Sequence, residues 1–311
     1  MPAQAINRKL VTVLRRLANR RQVLGAGLSL ALCARAGGAE PLASVTAIRD
    51  GHLLLVPVWV GPMPAALFVL DTGAAVTVID TAWAQRAKLA LGPGLTLGAP
   101  GREGGLAARA LAETTLTVGG ATRSLKAAAA DLAGLRRALS SEVQGVLGHD
   151  FLSAYNLTAD FAEGRVVLAP GGAVRPTGSH DMRVAGQPFV QARVIHRGRA
   201  LSGTFGVDTG ADTAVHLLAQ RTAAAFPDLT TTDAQGATIA GPQTLRLAPI
   251  DALELGGARI TGLTANAADD ARPAGAGPDY AGRIGAPALR GMILTLDYPG
   301  AWFSLTPTPG P

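Results

Sequence analysis

The sequence has 311 residues, a length that suits one large domain or two of ordinary size. Apolar residues make up 48% and charged residues 16%, which allows a buried core and excludes a disordered chain. The formal net charge is +6, but residues 1–39 contain seven basic residues and no acid, and the remainder has 21 basic against 22 acidic residues, so the charge predicts no nucleic-acid-binding surface.

Residues 1–39 have the three parts of an export signal. A basic stretch ends at Arg20-Arg21, an apolar run covers 23–33, and small residues end at Ala39. The apolar run is shorter than the roughly 20 residues that span a bilayer. We therefore predict a cleaved signal peptide over 1–39, with a loose match to a twin-arginine signal at 19–24. An uncleaved membrane anchor is the alternative.

Cys33 is the only cysteine and lies within this leader. The preceding residue is Leu32, whereas a lipoprotein signal requires a small residue there. The mature chain can therefore use neither a disulfide framework, nor a thiol nucleophile, nor a cysteine-ligated metal.

Two copies of one sequence pattern follow, 137 residues apart. LFVLDTGAAVTVI at 67–79 matches TFGVDTGADTAVH at 204–216. The same offset relates three further pairs of segments, which are LTVGG at 116–120 with LELGG at 253–257, VLG at 146–148 with RIG at 283–285, and LTADF at 157–161 with LTLDY at 294–298. We predict a tandem duplication, with lobes at 44–170 and 181–307 joined by a linker rich in Pro and Gly at 171–180.

Each copy has the pattern of short strands separated by turns. Residues 53–60 and 65–70 predict one hairpin, and residues 189–195 and 201–207 predict its counterpart. Short helices are expected only after Asp80 and after Gly148, where Asp150 could cap a turn, with an equivalent turn at Pro287 in the second copy.

An aspartate ends an apolar strand in each copy and is followed by Thr, Gly and Ala. The run 67–70 predicts a buried strand that fixes where the Asp71 carboxylate emerges. Gly73 has no Cβ, so its backbone N–H can approach that carboxylate closely. The Thr72 hydroxyl can reach a facing loop. Because Asp208 has the same setting, the repeat predicts two carboxylates face to face.

The motifs Asp71-Thr72-Gly73-Ala74 and Asp208-Thr209-Gly210-Ala211 resemble the catalytic motif of aspartic proteases, in the retropepsin-like branch. The apolar-apolar-Gly element at 146–148 also resembles that family, and its counterpart departs from it at Arg283. The resemblance implies an all-β, bilobal pepsin-like fold of two retropepsin-like β-barrel lobes with a cleft between them. It implies that Asp71 and Asp208 activate one water and hydrolyse peptides by general acid–base catalysis.

The resemblance also implies roles for the neighbouring residues. Thr72 and Thr209 would bridge the two loops, and Gly73 and Gly210 would donate N–H groups near the carboxylates. Asp212 would contact the substrate backbone from one side only, since its counterpart is Ala75. Flap hairpins would lie around 98–109 and 235–246.

Other classes of site lack their motifs. The five histidines show no metal-ligand spacing, and the sequence contains no GxSxG, GxGxxG or Walker A pattern. We therefore expect no metal and no cofactor. The expected protein is an exported, periplasmic or secreted aspartic endopeptidase. It would act as a monomer on peptide or protein substrates, without nucleic acid and without stable membrane insertion once the signal is removed. The alternative is a non-catalytic peptide- or partner-binding protein on the same duplicated fold.

Overall fold

A computed structural model describes residues 40–98, 104–172, 174–238, 241–268 and 272–309. The predicted signal peptide at 1–39 lies outside these ranges. Strands account for 54% of the residues and helices for 11%, so the all-β, two-lobe prediction is confirmed. Within the described ranges, no helix has both the length and the apolar composition needed to cross a membrane.

The described part of the chain forms twenty-five strands. Those of the N-terminal half are β1 Ala43–Thr46, β2 Ile48–Asp50, β3 Leu53–Val60, β4 Ala66–Leu70, β5 Val78–Asp80, β6 Leu91–Leu97, β7 Leu106–Leu111, β8 Thr114–Val118, β9 Ala121–Leu125, β10 Ala128–Ala130, β11 Val143–Leu147, β12 Tyr155–Asp160 and β13 Arg165–Pro170. Those of the C-terminal half are β14 His180–Val184, β15 Pro188–His196, β16 Arg199–Asp208, β17 Val215–Leu218, β18 Thr232–Thr238, β19 Gly241–Ile250, β20 Ala252–Leu255, β21 Ala258–Ile260, β22 Leu263–Ala268, β23 Tyr280–Gly285, β24 Met292–Asp297 and β25 Trp302–Pro307.

The helices are short and lie between strands. They are α1 Thr81–Arg86, α2 Ala133–Ala138, α3 His149–Leu152, α4 Ala219–Ala225 and a 3₁₀ helix at Ala286–Leu289. The helices expected after Asp80 and Gly148 are confirmed, and Asp80 caps α1 by accepting the Trp83 N–H at 2.9 Å. Helix α4 was not predicted, because a leucine without a capping side chain precedes it.

The strands form two sheets. A ten-stranded sheet contains only strands of the N-terminal half, in the order β6-β7-β10-β5-β11-β4-β3-β8-β9, with β2 added beside β3. A fifteen-stranded sheet contains all strands of the C-terminal half together with β1, β12 and β13. The pairings among the described strands form two open sheets. They do not include the pairings that would close each lobe into the expected barrel.

The two halves meet edge to edge where β12 pairs antiparallel with β24. At the middle of this pairing Thr158 lies opposite Thr295, and their hydroxyls are 3.1 Å apart. These two threonines are 137 residues apart, the offset that relates the sequence copies. An antiparallel pair of equivalent residues is the contact that a local two-fold axis between the halves requires.

Asp160 and Asp297 end the two strands of this junction, and both are buried. Asp160 accepts the N–H groups of Ala162 and Glu163, at 2.9 and 3.0 Å. Asp297 accepts the Gly300 N–H at 2.7 Å. Their carboxylates therefore fix turns, as expected for strand-end residues, and do not form a second acidic site.

Candidate active site

A buried stretch of strand precedes each of the two aspartates. All five residues of β4 are buried, and the Asp71 N–H that follows donates to the Leu147 carbonyl at 3.1 Å. Strand β16 ends at Asp208, which lies in parallel register with Gly285 of β23. Each carboxylate is thus carried by a strand held on both sides by neighbours, which limits its freedom of position.

Backbone N–H groups of the following loops bind the two carboxylates. Asp71 Oδ1 accepts the N–H of Gly73 and of Ala74, both at 2.9 Å. Asp208 Oδ1 accepts the N–H of Gly210 at 3.1 Å. These bonds hold each carboxylate against its own loop and stabilise its ionised form.

Each glycine also lies against the carboxylate of the opposite half. A Cβ on Gly73 would lie 2.5 Å from Asp208 Cγ, and a Cβ on Gly210 would lie 2.4 Å from Asp71 Cγ. Both distances are shorter than any real carbon contact, so only glycine permits this approach. The sequence prediction for Gly73 concerned its own aspartate, whereas the closer constraint comes from the aspartate across the interface.

Thr72 and Thr209 connect the two loops through four reciprocal hydrogen bonds, here called the threonine bridge. The Thr72 hydroxyl donates to the Val207 carbonyl at 2.6 Å and accepts the Thr209 N–H at 3.1 Å. The Thr209 hydroxyl donates to the Leu70 carbonyl at 2.6 Å and accepts the Thr72 N–H at 3.1 Å. Both threonines are buried, with 0% and 1% exposure, so the bridge locks the relative position of the two aspartates.

The surroundings of Asp71 favour the protonated form of its carboxyl group. Burial, followed by the charge of Asp208, raises the pKa of Asp71 well above its usual value of 3.8. A hydrogen bond between the two carboxyl groups acts in the same direction. Burial and the neighbouring carboxyl group therefore favour a proton on Asp71.

A cleft of about 1810 Å³ opens over the aspartate pair and is lined by both halves. Gly98 and Leu106 contribute from the β6–β7 hairpin, and Gln235 and Leu245 from the β18–β19 hairpin. These hairpins are the segments predicted as flaps, and parts of them, residues 99–103 and 239–240, lie outside the described residues. The cleft is large enough for an extended peptide.

Asp212 also lines the cleft, with an exposed side chain. Partial burial raises the pKa of its carboxyl, while the charge of His52 acts against that shift. Five of the seven predicted site residues line this cleft, and the two others, the buried Thr72 and Thr209, join the loops that carry the aspartates. Within the described ranges, no three His, Cys, Asp or Glu side chains lie together as a metal site would require.

Arg283 is the site residue whose importance the sequence did not indicate. Its guanidinium Nη1 lies 3.4 Å from Asp208 Oδ2. The sequence shows Arg283 only as a departure from the apolar-apolar-Gly element. Pairing β16 with β23 in register is what brings it to the aspartate.

Asp150 supports the Asp71 loop, and its Oδ1 also accepts the Phe151 N–H at 2.8 Å in the first turn of α3, whose N-cap residue is Gly148. Asp150 accepts the Thr77 N–H at 2.9 Å and the Thr77 hydroxyl at 2.5 Å. The Thr77 hydroxyl in turn accepts the Gly148 N–H at 3.0 Å. In the C-terminal half, Ala214 and Pro287 occupy the equivalent positions.

We expect Thr77→Ala and Asp150→Ala each to lower the free energy of unfolding by about 1–3 kcal/mol, because the first leaves the buried Gly148 N–H without its acceptor and the second leaves the buried Thr77 hydroxyl without its acceptor. The double variant should cost less than the sum of the two, since it removes both partners and approaches the apolar pair of the other half. Urea unfolding of the four proteins measures this coupling. Strictly additive costs would contradict a direct Thr77–Asp150 interaction.

A family model matches part of the N-terminal half of the chain. No curated protein matches the sequence. Residues 56–151 match the family model described as aspartyl protease, a segment that includes Asp71 and its loop as well as the Val146-Leu147-Gly148 element. Over this segment of its N-terminal half, the chain is similar to the aspartyl protease family.

Proposed function

We propose that the protein is an exported aspartic endopeptidase in which Asp71 and Asp208, one from each half, activate a single water. The observation that carries this proposal is the threonine bridge, which fixes two carboxylates on equivalent loops at the floor of an open cleft. A bridge of this kind restrains both aspartates at once, and the family match of the N-terminal half supports the same activity.

The proposed reaction is general acid–base hydrolysis. The ionised carboxylate of the pair removes a proton from the water, whose oxygen attacks the peptide carbonyl carbon. The protonated carboxyl donates its proton to the carbonyl oxygen, which gives a tetrahedral diol. Transfer of a proton to the peptide nitrogen then accompanies cleavage of the C–N bond and releases an acid and an amine. No covalent enzyme intermediate forms.

The substrate class follows from the shape of the cleft. An extended peptide can lie across the aspartate pair and hydrogen-bond to the two flap hairpins along its backbone. Asp212, exposed in the same cleft, is placed to accept a backbone N–H of that peptide. Because both aspartates belong to one chain, the proposed enzyme acts as a monomer.

The proposal of export rests on the sequence of residues 1–39. The basic, apolar and small-residue segments of 1–39 are those of a signal peptide. We propose that the mature chain begins at Glu40 and acts in the periplasm or outside the cell.

A peptide-library assay tests the proposed activity. The full chain and the chain beginning at Glu40 are each incubated with the library across pH, beside the Asp71→Asn/Asp208→Asn double variant. Cleavage by the wild type and none by the double variant is the expected result. A folded wild type that cleaves no peptide at any pH would refute the protease proposal.

If the folded wild type cleaves no peptide, retention of library peptides by the wild-type protein would identify a non-catalytic binding protein instead. The double variant serves there as the control, because its amide side chains can still accept the N–H groups of the loops and preserve the cleft.

A further inference from the structure

Arg283 forms a shielded ion pair with only one of the two aspartates. Its Nη1 atom lies 3.4 Å from Asp208 Oδ2, and the side chains of the two residues are 13% and 11% exposed. The equivalent position in the N-terminal half is Val146, which is buried and carries no charge. The two carboxylates therefore differ in their neighbours, although their loops are equivalent.

The fold makes room for this arginine. Arg283 lies in register with Gly206 of β16, and a Cβ on Gly206 would lie 3.6 Å from Arg283 Cγ. In the N-terminal half, the equivalent pair is Val69 and Val146, which are also in register. A Val–Val pair in one half is thus replaced in the other by a pair of one small and one large residue, so Arg283 is accommodated without overpacking.

The adjacent strand β17 places a histidine beside Arg283. His216 lies opposite Arg283 on β17. Burial, followed by the charge of Arg283, lowers the pKa of His216 to about 3, so the imidazole is neutral and adds no second cation. Its Nδ1 lies 3.3 Å from the Asn266 side-chain amide. Asp71, across the interface, is the other carboxyl group of the aspartate pair, and Asp212 is a further carboxyl group in the cleft.

We propose that Arg283 is a positioning residue that keeps Asp208 ionised as the proton acceptor, so that Asp71 is the proton donor. This inference rests on the proposed protease function. In the reaction, Asp208 takes the proton from water, and Asp71 gives its proton to the carbonyl oxygen. The assignment agrees with the raised pKa of Asp71.

Removal of the positive charge has a defined consequence for pH dependence. A cation within about 4–6 Å of a carboxylate lowers its pKa by about 1–3 units. Without it, both ionisations of the coupled pair move to higher pH. The acidic and basic limbs of the kcat/KM profile should therefore both shift upward, by about one pH unit. At a fixed pH on the acidic limb, this corresponds to a roughly tenfold loss of kcat/KM.

The experiment compares the full chain carrying Arg283→Met, Arg283→Lys or Arg259→Met. Met keeps most of the aliphatic volume beside Gly206 and removes the charge, whereas Lys keeps the charge. Arg259 lies on β21 with its side chain 54% exposed and paired with Glu254, so Arg259→Met is a control of equal charge change. An upward shift of both limbs for Met, a smaller shift for Lys and none for the control is expected. Unchanged limbs for Arg283→Met would overturn the proposal.

A carboxyl ¹³C NMR titration gives a readout that needs no turnover. In the Asp71→Asn background, Asp208 titrates without its partner, and adding Arg283→Met or Arg283→Lys should raise its pKa, more so for Met. An unchanged titration would overturn the proposal, even if the wild type proves to be an active protease. Should the wild type cleave nothing, the protease function fails, while the titration still decides whether Arg283 controls Asp208. If Met prevents folding, Arg283→Gln takes its place in the titration, because Gln also removes the charge.

Discussion

Asp71→Asn and Asp208→Asn are each expected to lower kcat/KM for peptide cleavage by about 10²- to 10⁴-fold. The reaction needs one carboxyl that donates a proton and one carboxylate that accepts one. An amide does neither at any pH used for assay. Because Asn can still accept the Gly73 and Ala74 N–H groups at position 71, or the Gly210 N–H at position 208, the loops should keep their geometry.

The two variants should leave binding largely intact, so the loss should appear in kcat rather than in KM. Asp181→Asn is the matched control, because Asp181 has a 93% exposed side chain that pairs with Arg175 far from any role in the proposed chemistry. A variant at position 71 or 208 with wild-type kcat would contradict the assignment of that residue to the reaction.

The Asp71 variant should also change stability in a pH-dependent way. The pKa of Asp71 is raised by burial and by Asp208, so the folded state binds its proton more tightly than the unfolded state does. Stability from this group is therefore present below the unfolded-state pKa, about 4, and is lost as the pH rises through the folded-state pKa. Asp71→Asn removes the titrating carboxyl group, so this loss of stability at higher pH should not occur in the variant.

Urea unfolding of the wild type and Asp71→Asn at neutral pH and below pH 4 measures that effect. The variant should be the more stable protein at neutral pH, and the difference should shrink in acid, where the wild-type carboxyl is protonated in both states. A variant that is less stable than the wild type at neutral pH would show that the Asp71 carboxylate contributes more through its hydrogen bonds than it costs through burial.

Much of the fold follows from local sequence patterns. The apolar residues at 53–60 coincide with β3, and the apolar run before Asp71 is the fully buried β4. The 137-residue offset is also the spacing of the threonine bridge and of the Thr158–Thr295 contact. These features were predictable because a buried strand and a repeated motif can each be recognised from residues that are adjacent in the sequence.

The remaining features depend on which strands become neighbours. Arg283 reaches Asp208 only because β23 lies parallel to β16, and no spacing along the chain indicates that register. The role of Asp150 depends in the same way on Thr77, which is 73 residues away. Helix α4 follows Leu218, a residue that offers no capping side chain, so the usual start signal is absent.

Thr72→Val and Thr209→Val are each expected to lower the free energy of unfolding by about 2–5 kcal/mol. Valine matches threonine in shape, so the packing of the interface is retained and only the hydroxyl is lost. Thr72→Val leaves the Val207 carbonyl and the Thr209 N–H without their partner, in a place where water has no access. Each unpaired buried group costs about 1–3 kcal/mol.

Thr72→Ser and Thr209→Ser are the matched controls, because serine keeps the hydroxyl and loses only a methyl group. Denaturant unfolding and kcat/KM should be measured on all four variants. The valine variants should lose activity as well as stability, since the bridge sets the spacing of Asp71 and Asp208, whereas the serine variants should stay within about 1.5 kcal/mol of the wild type. Valine variants as stable as the wild type would contradict a structural role for the bridge.

The comparison between the two valine variants carries a further consequence. The hydrogen bonds that each removes are equivalent in partner type and in length, 2.6 and 3.1 Å in both cases. Their stability costs should therefore be nearly equal, even though only the Asp208 carboxylate pairs with Arg283. Equal costs at the threonines together with an effect of Arg283 on catalysis would mean that the symmetric part of the site holds the two halves together, while the asymmetric part divides the proton-transfer roles. A large difference between the two threonines would instead place the asymmetry in the framework itself.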